Sequence, residues 1–407
     1  MKLLLVKEDD LATTRLTADH RMVREPRRPV EKLDEKYHDR FDSDTLFYDA
    51  FYDETRGETI CIGPSLWNLY DPMRSGTCLL ETAGNKSPVP FYIADKIRVG
   101  TATVLAKTSP GDTLLFESQE IGTVRIKVGE SRNGFFTDLR VMQTMVRYDQ
   151  LQWIVDWAAF HARVHKVNGI LIYNHRSANF TSEQLLEALS AVEGLEAAAV
   201  VDWNFKRGPR GVVKGPLRWG PDAKFCQHGG IEHARQNFLR NAEAVLLCDV
   251  DELVICGGDR TVFELAHESS YGYVQFDGLY VNGPKSLWDL PCAERRHSQA
   301  TTRAKSSEYF CCPRKYAVIP KRLSPDLQWT IHDVPGLPAE KFYLPRIQFR
   351  HFRHLNENWL APRGWLEGPC IEDNILARDY QKVGWSNDAT ASEAATAGLD
   401  QIVSRRA

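Results

Sequence analysis

From about residue 140 the apolar positions of the chain fall into blocks that alternate between two periods. "QLQWIVDWAAFHARVHKVNG" (150–169) has the length and spacing of a helix, and "GILIYNHRS" (169–177) is a short apolar run closing in turn-forming residues. "TSEQLLEALSAV" (181–192) opens with Thr181 and Gln184 at capping-box spacing and carries Leu185, Leu189 and Val192 along one face. "AAAVVDWNF" (197–205) reads as a strand, "IEHARQNFLRNA" (231–242) as a helix and "AVLLCDVDE" (244–252) as a further strand. This alternation predicts an α/β fold, a mostly parallel sheet with helices on both faces. Ligands of such sheets lie beyond the carboxyl ends of the strands, where Asn174, Asp202, Asp249 and Asp251 would project.

Earlier blocks have a different grammar. Residues 1–45 are densely and evenly charged, which predicts a mobile or loosely docked leader. Between 46 and 138 the runs are short and β-like ("ETICIGP", "TATVLAK", "TLLFES", "GTVRIKVG"), separated by Gly, Pro, Asn and Asp, as in a small β-rich domain. The α/β domain then extends over 139–385. Beyond Gly257 it shows one clear strand-like run, "YGYVQFDGLYVNG", and an irregular stretch rich in Arg, Lys, His and Trp. Residues 386–407 form a polar tail predicted to fray.

Composition narrows the function classes. With 407 residues, 43% hydrophobic and 26% charged, the chain is long enough for one large domain and an addition. A net charge of −3 provides no global field for nucleic acid, and no apolar run approaches a membrane span. The nine cysteines are scattered, show no C-x-x-C spacing, and mostly sit inside apolar runs, so they read as free buried thiols. A cytoplasmic protein is expected, with contact to the membrane face as its only membrane association.

The run "EAVLLCDVDELVI" is the strongest chemical signal. Alternation sends Asp249 and Asp251 to one side if the strand continues, or into a shared loop if it turns. Two crowded carboxylates repel unless a cation neutralises them, and a hard divalent ion such as Mg²⁺ keeps positions open for substrate phosphates. The plain alternative is that acids at a strand end cap the next helix or face solvent. Placement after an apolar run in an alternating chain favours the functional reading.

"WIVDWAAFHARVHKVNGILIYNHRS", "VVDWNF" and "FLRNAEAVLLCDVDELV", with "RKYAVIP", "WTIHDV" and "QFRHFRHLNENW" further on, resemble glycosyltransferase family 92 and the related family 2-like bacterial enzymes. The resemblance covers roughly residues 140–365 and departs at Asn174-His175, where an Asp-Asn pair is commoner. It implies the GT-A fold, a nucleotide-sugar donor such as a UDP-sugar, Mn²⁺ or Mg²⁺ as cofactor, and transfer with inversion. The acceptor it implies is a glycan or lipid-linked saccharide, in bacterial surface polysaccharide or lipopolysaccharide synthesis. Asp251 would ligate the metal, and Asp249 would serve the ribose or a metal-bound water. Asn174, Asp202, Lys315 and Arg353 would contact the donor.

His332 and His351 compete for a third metal or phosphate contact; each alone also reads as an ordinary structural histidine. Lys315 and Arg314 read similarly. "GPCIEDNILARDYQKVGW" resembles the Glu-Asp motif that supplies the base in family 2, nominating Asp373 and Glu372, although acids also suit a helix N-terminus. Asp333, Glu294 and Asp289 are rivals for the base. The loop "KRGPRGVVKGPLRW" is a solvated basic surface, a lid or a site for anionic acceptors. Trp203, Trp219, Trp288 and Trp329 are core residues or sugar platforms. Competing functions are a haloacid dehalogenase-type phosphatase, a nucleotidyltransferase and a non-catalytic glycan-binding protein. The first wants a hydroxyl-bearing turn where Glu252-Leu253 stand; the second wants a Gly-rich phosphate loop that "MVRYDQLQW" lacks.

Overall fold

The computed structural model describes all residues except 30, 32, 210–222, 282, 306–310, 338–342, 357–369 and 386–407. Its centre is an 11-stranded sheet. Five neighbouring strands of it are parallel, in the spatial order Lys2–Val6, Ala197–Asp202, Gly169–Asn174, Arg140–Val146 and Ala244–Leu247. The sheet then turns antiparallel through Cys311–Val318, Tyr273–Val281 and Thr302–Ala304 to Cys370–Glu372. Tyr343–Phe352 runs parallel to Tyr273–Val281 and pairs antiparallel with Glu252–Cys256.

The parallel strands alternate between two cores, as a period of two requires. Met142, Ile170, Ile172, Ala198, Val200 and Leu246 face one side, covered by the helices Leu151–His165 and Ser182–Ser190. Val141, Leu171, Tyr173, Ala199, Val201 and Val245 face the other, covered by the helix Phe225–Asn237. The Thr181–Gln184 capping box forms as its spacing predicts. The third helix begins at Phe225, six residues before its apolar pattern becomes legible, because Gly229 and Gly230 pack against Tyr48 and Met145 and leave no periodic side chain.

The leader is not loosely docked. Lys2–Val6 is an edge strand of the central sheet, hydrogen-bonded alongside Ala197–Val201. Further along, buried Arg24 donates to the carbonyls of Asp42, Ser65 and Thr45, and Tyr37 and Phe41 are buried. A few anchors thus hold a segment whose average composition is polar.

Between Asp49 and Lys127 the chain forms two four-stranded antiparallel sheets that share one core, including Cys61, Ala102 and Val104 from one and Leu114, Phe116 and Ile126 from the other. This β unit is tied to the α/β domain by a buried network. Asp49 Oδ2 lies 2.8 Å from His233 Nε2, His233 Nδ1 lies 2.8 Å from the Tyr173 hydroxyl, and the Asn237 amide donates to Asp49 at 3.2 Å. No helix among the described residues is long and apolar enough to cross a membrane. The basic loop from 210 onward, Trp219 and the polar tail lie outside the described residues.

Candidate metal centre

The acidic run turns rather than continuing as a strand. After Ala244–Leu247 the chain makes a tight turn in which Glu252 N–H donates to the Asp249 carbonyl at 3.0 Å and Asp249 N–H donates to Glu252 Oε2 at 3.0 Å. Glu252–Cys256 then re-enters the sheet with Glu252 opposite His351. Residues directly opposed in an antiparallel pair present their side chains to the same face at short range, so this register alone brings Glu252 and His351 together. Phe352 N–H donates to the Asp251 carbonyl at 2.8 Å and holds the turn against the same strand.

Asp251, Glu252 and His351 therefore converge, with one ligand atom of each lying within 4.8 Å of the others. His351 Nε2 is 3.2 Å from Asp251 Oδ2, and its Nδ1 is 3.5 Å from Glu252 Oε1. All three residues are buried. Burial opposes a charged imidazole, yet the Asp251 charge and the surrounding hydrogen bonds outweigh it and hold His351 well above its ordinary value. His351 Nε2 faces Asp251 Oδ2 at that 3.2 Å as an ion pair rather than in well-aligned hydrogen-bond geometry. Two carboxylates and one imidazole form a donor set that suits a divalent cation with coordination positions to spare.

Asp249 does not join this cluster. Its Oδ2 is 2.6 Å from Lys315 Nζ, which also lies 3.1 Å from Glu252 Oε2. Lys315 is itself buried and reaches the turn from Cys311–Val318. Burial would lower its pKa, but Asp249 and Glu252 raise it above the usual lysine range. Partial burial likewise works against ionised Asp249, and Lys315 overrides it, so Asp249 stays below the usual carboxylate value. The divided roles follow from the turn, which separates side chains that a continuous strand would have aligned.

One acid was missed by sequence reasoning. Asp149 follows the Arg140–Val146 strand, is buried, and is pushed up to about 7 by burial, with the Asp251 and Asp249 charges adding to the effect. The signal was present, an acid just past the end of a parallel strand, but it carried no acid-x-acid pattern. Beside it lies a pocket of about 140 Å³ whose lining includes Arg147, Tyr148, Gln150, Trp153, Asn179 and Asn356. A second crevice beside Asp249 and Lys315 is lined by Gln143, Gln227 and Ile331.

The other nominated residues separate into two groups. Asn174 and Asp202 stand opposite each other at the carboxyl ends of neighbouring strands. Ser182 links them, accepting from the Asn174 amide at 2.8 Å and donating to Asp202. His332 sits by the Arg314 carbonyl (Nδ1 at 3.1 Å) and is lowered to about 4, first by burial and then by Lys315, while Asp249 pulls the other way. Arg314 pairs with Asp277 at 2.9 Å, and the Arg353 guanidinium lies 4.9 Å from the centre of the Tyr280 ring.

Asp373 takes the plainer of its two readings. It caps the helix Asn374–Lys382 by accepting from Leu376 N–H at 3.1 Å, and its other oxygen pairs with Arg350 and with Arg303. The buried Arg350, the partly exposed Arg303 and the cap between them engage both oxygens of this carboxylate. Glu372 lies exposed in Cys370–Glu372. Asp333 is exposed and accepts from the Thr330 hydroxyl, while Glu294 and Asp289 are exposed within 3-10 turns. Trp203 and Trp329 are core residues.

No family model matches the sequence, and no match is found among curated proteins. Among solved structures, similarity is found to residues 1–349 of S. aureus TarS in complex with UDP, at 11% identity and a TM-score of 0.30 over 53% of this chain and 60% of that one. Core-mannan synthase A (CmsA/Ktr4) from Aspergillus fumigatus in its Mn/GDP form matches at 14% identity and a TM-score of 0.23, covering 53% and 59%. The apo structure of the bifunctional WbbM glycosyltransferase matches at 10% and 0.24, covering 50% and 36%. The chain thus spans about three fifths of the first two structures and about a third of WbbM. At these scores the functional reading rests on the site itself.

Proposed function

We propose that the chain is a metal-dependent glycosyltransferase of GT-A type, using a nucleotide-diphosphate sugar and a glycan or lipid-linked saccharide acceptor. The observation that carries this reading is the convergence of Asp251, Glu252 and His351 at the carboxyl end of a parallel sheet. Asp251 and His351 are the principal metal ligands, and Glu252 is the third. A divalent cation bound there supplies Lewis-acid stabilisation to the departing nucleoside diphosphate. Lys315 adds a fixed positive charge and orients Asp249, which faces the ribose side of the site. The pocket at Arg147, Tyr148 and Asn179 receives the nucleoside, and Asn174 and Asp202, tied together through Ser182, stand at the neighbouring strand ends.

Asp333 is the favoured base for the acceptor hydroxyl. It is exposed and follows His332, which feels the charges of Lys315 and Asp249, whereas Asp373 is held by arginines. Base-assisted attack from the face opposite the leaving group would invert the anomeric centre, and NMR of the product anomer tests this.

Thermal stabilisation by UDP or GDP with Mn²⁺ tests the reading. A ligand at a hundred times its dissociation constant adds about 2.7 kcal/mol to the native state. The shift is expected to require metal and nucleotide together and to vanish in Asp251→Ala. A shift of equal size in that variant refutes the assignment. A donor-hydrolysis screen across nucleotide sugars then names the sugar, and Asp333→Asn should lose turnover while keeping the shift.

A further inference from the structure

The strand Glu252–Cys256 pairs along one edge with Tyr343–Phe352. Along its other edge, the hydrogen-bonding groups of Val254 are met by side chains from the helix Leu151–His165. Val254 N–H donates to His161 Nε2 at 3.1 Å, and the Val254 carbonyl accepts from His165 Nε2 at 2.7 Å. The two imidazoles lie one helical turn apart, with ring centres 5.8 Å apart and planes inclined by 29°, and together they replace the donor–acceptor pair that a neighbouring strand would offer.

The remaining ring nitrogens are also engaged. His161 Nδ1 lies 2.8 Å from the Trp157 carbonyl, and His165 Nδ1 accepts from Val262 N–H at 3.2 Å. An N–H partner demands an accepting nitrogen and a carbonyl demands a donating one, so each ring is held in a single neutral tautomer. Burial favours the same state, depressing both rings, His165 to about 4. A third histidine acts at the other end of the acidic segment. His297 Nε2 lies 2.9 Å from the carbonyl of Val250, the residue between the two aspartates. Val250 and Val254 bracket Asp251 and Glu252.

We infer that His161, His165 and His297 are positioning residues that fix the backbone of the acidic segment, so that Asp251 and Glu252 meet His351 at ligand distance. Building on the proposed metal reading, this assigns the precision of the site to side chains that never touch the ion. Loss of one imidazole leaves a backbone group of Val254 or Val250 unsatisfied and frees the segment to tilt. Groups that orient metal ligands typically account for about 10–100-fold in affinity.

The test compares His161→Leu, His165→Leu and His297→Leu with the His161→Gln and His165→Gln variants, whose amides can restore the acceptor or the donor. Leu114→Ala, in the core of the β unit, is the control for general destabilisation. Two readouts are taken on the full chain without nucleotide: hydrogen exchange of peptides spanning 249–256, and the dissociation constant for Mn²⁺ alone. The Leu variants should exchange faster over that segment and bind Mn²⁺ at least about tenfold more weakly. The Gln variants should recover much of both, and the control should change neither. Unchanged exchange in the Leu variants overturns the inference, as does faster exchange with unaltered Mn²⁺ affinity. If wild type binds no Mn²⁺, the metal reading fails, and with it the role of these histidines in shaping a metal site; the exchange data still report whether they hold the segment.

Discussion

Replacing Lys315 by methionine removes one positive charge from between two carboxylates while keeping most of the side-chain volume. Lys315 Nζ lies 2.6 Å from Asp249 and 3.1 Å from Glu252, but the two partners are not equivalent. The Asp249 side chain is 41% exposed, so water screens its loss, whereas that of Glu252 is 3% exposed. Breaking a buried pair by removing one partner costs about 3–5 kcal/mol, because the remaining charge stays desolvated. Glu252 retains Asp249 N–H at 3.0 Å and His351 at 3.5 Å, which places the expected loss near the lower end, about 3 kcal/mol. Urea unfolding at pH 7 measures it. Adding Glu252→Gln to Lys315→Met should restore at least half of the loss, since the orphaned charge is then gone. Mn²⁺ should stabilise the single variant more than the wild type by supplying the missing positive charge. A single-variant loss below about 1 kcal/mol, or a double variant no more stable than the single one, refutes the reasoning.

Acid should destabilise the fold through its buried neutral histidines. His165, His175, His332 and His354 are depressed to about 4 and His228 to about 3, chiefly by burial. A depressed folded value means that stability is intact above the unfolded histidine value of about 6.5 and is lost as pH falls from there toward 4. His351, being raised, contributes in the opposite sense, its stabilisation fading as pH rises through its folded value. The urea midpoint should fall clearly between pH 7 and pH 5; an unchanged midpoint contradicts the burial of these rings. Gly278→Ala places a methyl onto the Phe349 ring in the strand that carries His351, and should cost about 1–3 kcal/mol and weaken Mn²⁺ binding. Asp373→Asn should destabilise by about 3 kcal/mol through Arg350 and Arg303 yet leave kcat of the folded enzyme intact; lost turnover at full stability would instead make it the base.

The α/β half was legible because its signals are local. The helix Leu151–His165, the capping box at Thr181 and the strands Gly169–Asn174 and Ala197–Asp202 each follow from spacing and end chemistry within a dozen residues. The docked leader was illegible because its anchors, among them Arg24, Tyr37 and Phe41, are few and separated by charged residues. Asp373 was ambiguous for another reason. A carboxylate before a helix looks the same in sequence whether it awaits a substrate or caps the helix beside two arginines.

Sequence by itself placed acids at the end of an apolar strand, because a short apolar run that stops at Asp-x-Asp-Glu reads as a buried strand in a chain alternating between strands and helices. Tertiary structure decided which of them work together. Asp249 went to Lys315 and Asp251 to His351, a residue about a hundred positions away, while Glu252 stands between the two, 3.1 Å from Lys315 and 3.5 Å from His351. That partition depends on the direction of one turn and the register of one strand pair, and register is set by packing and hydrogen bonding across the sheet rather than by neighbours along the chain.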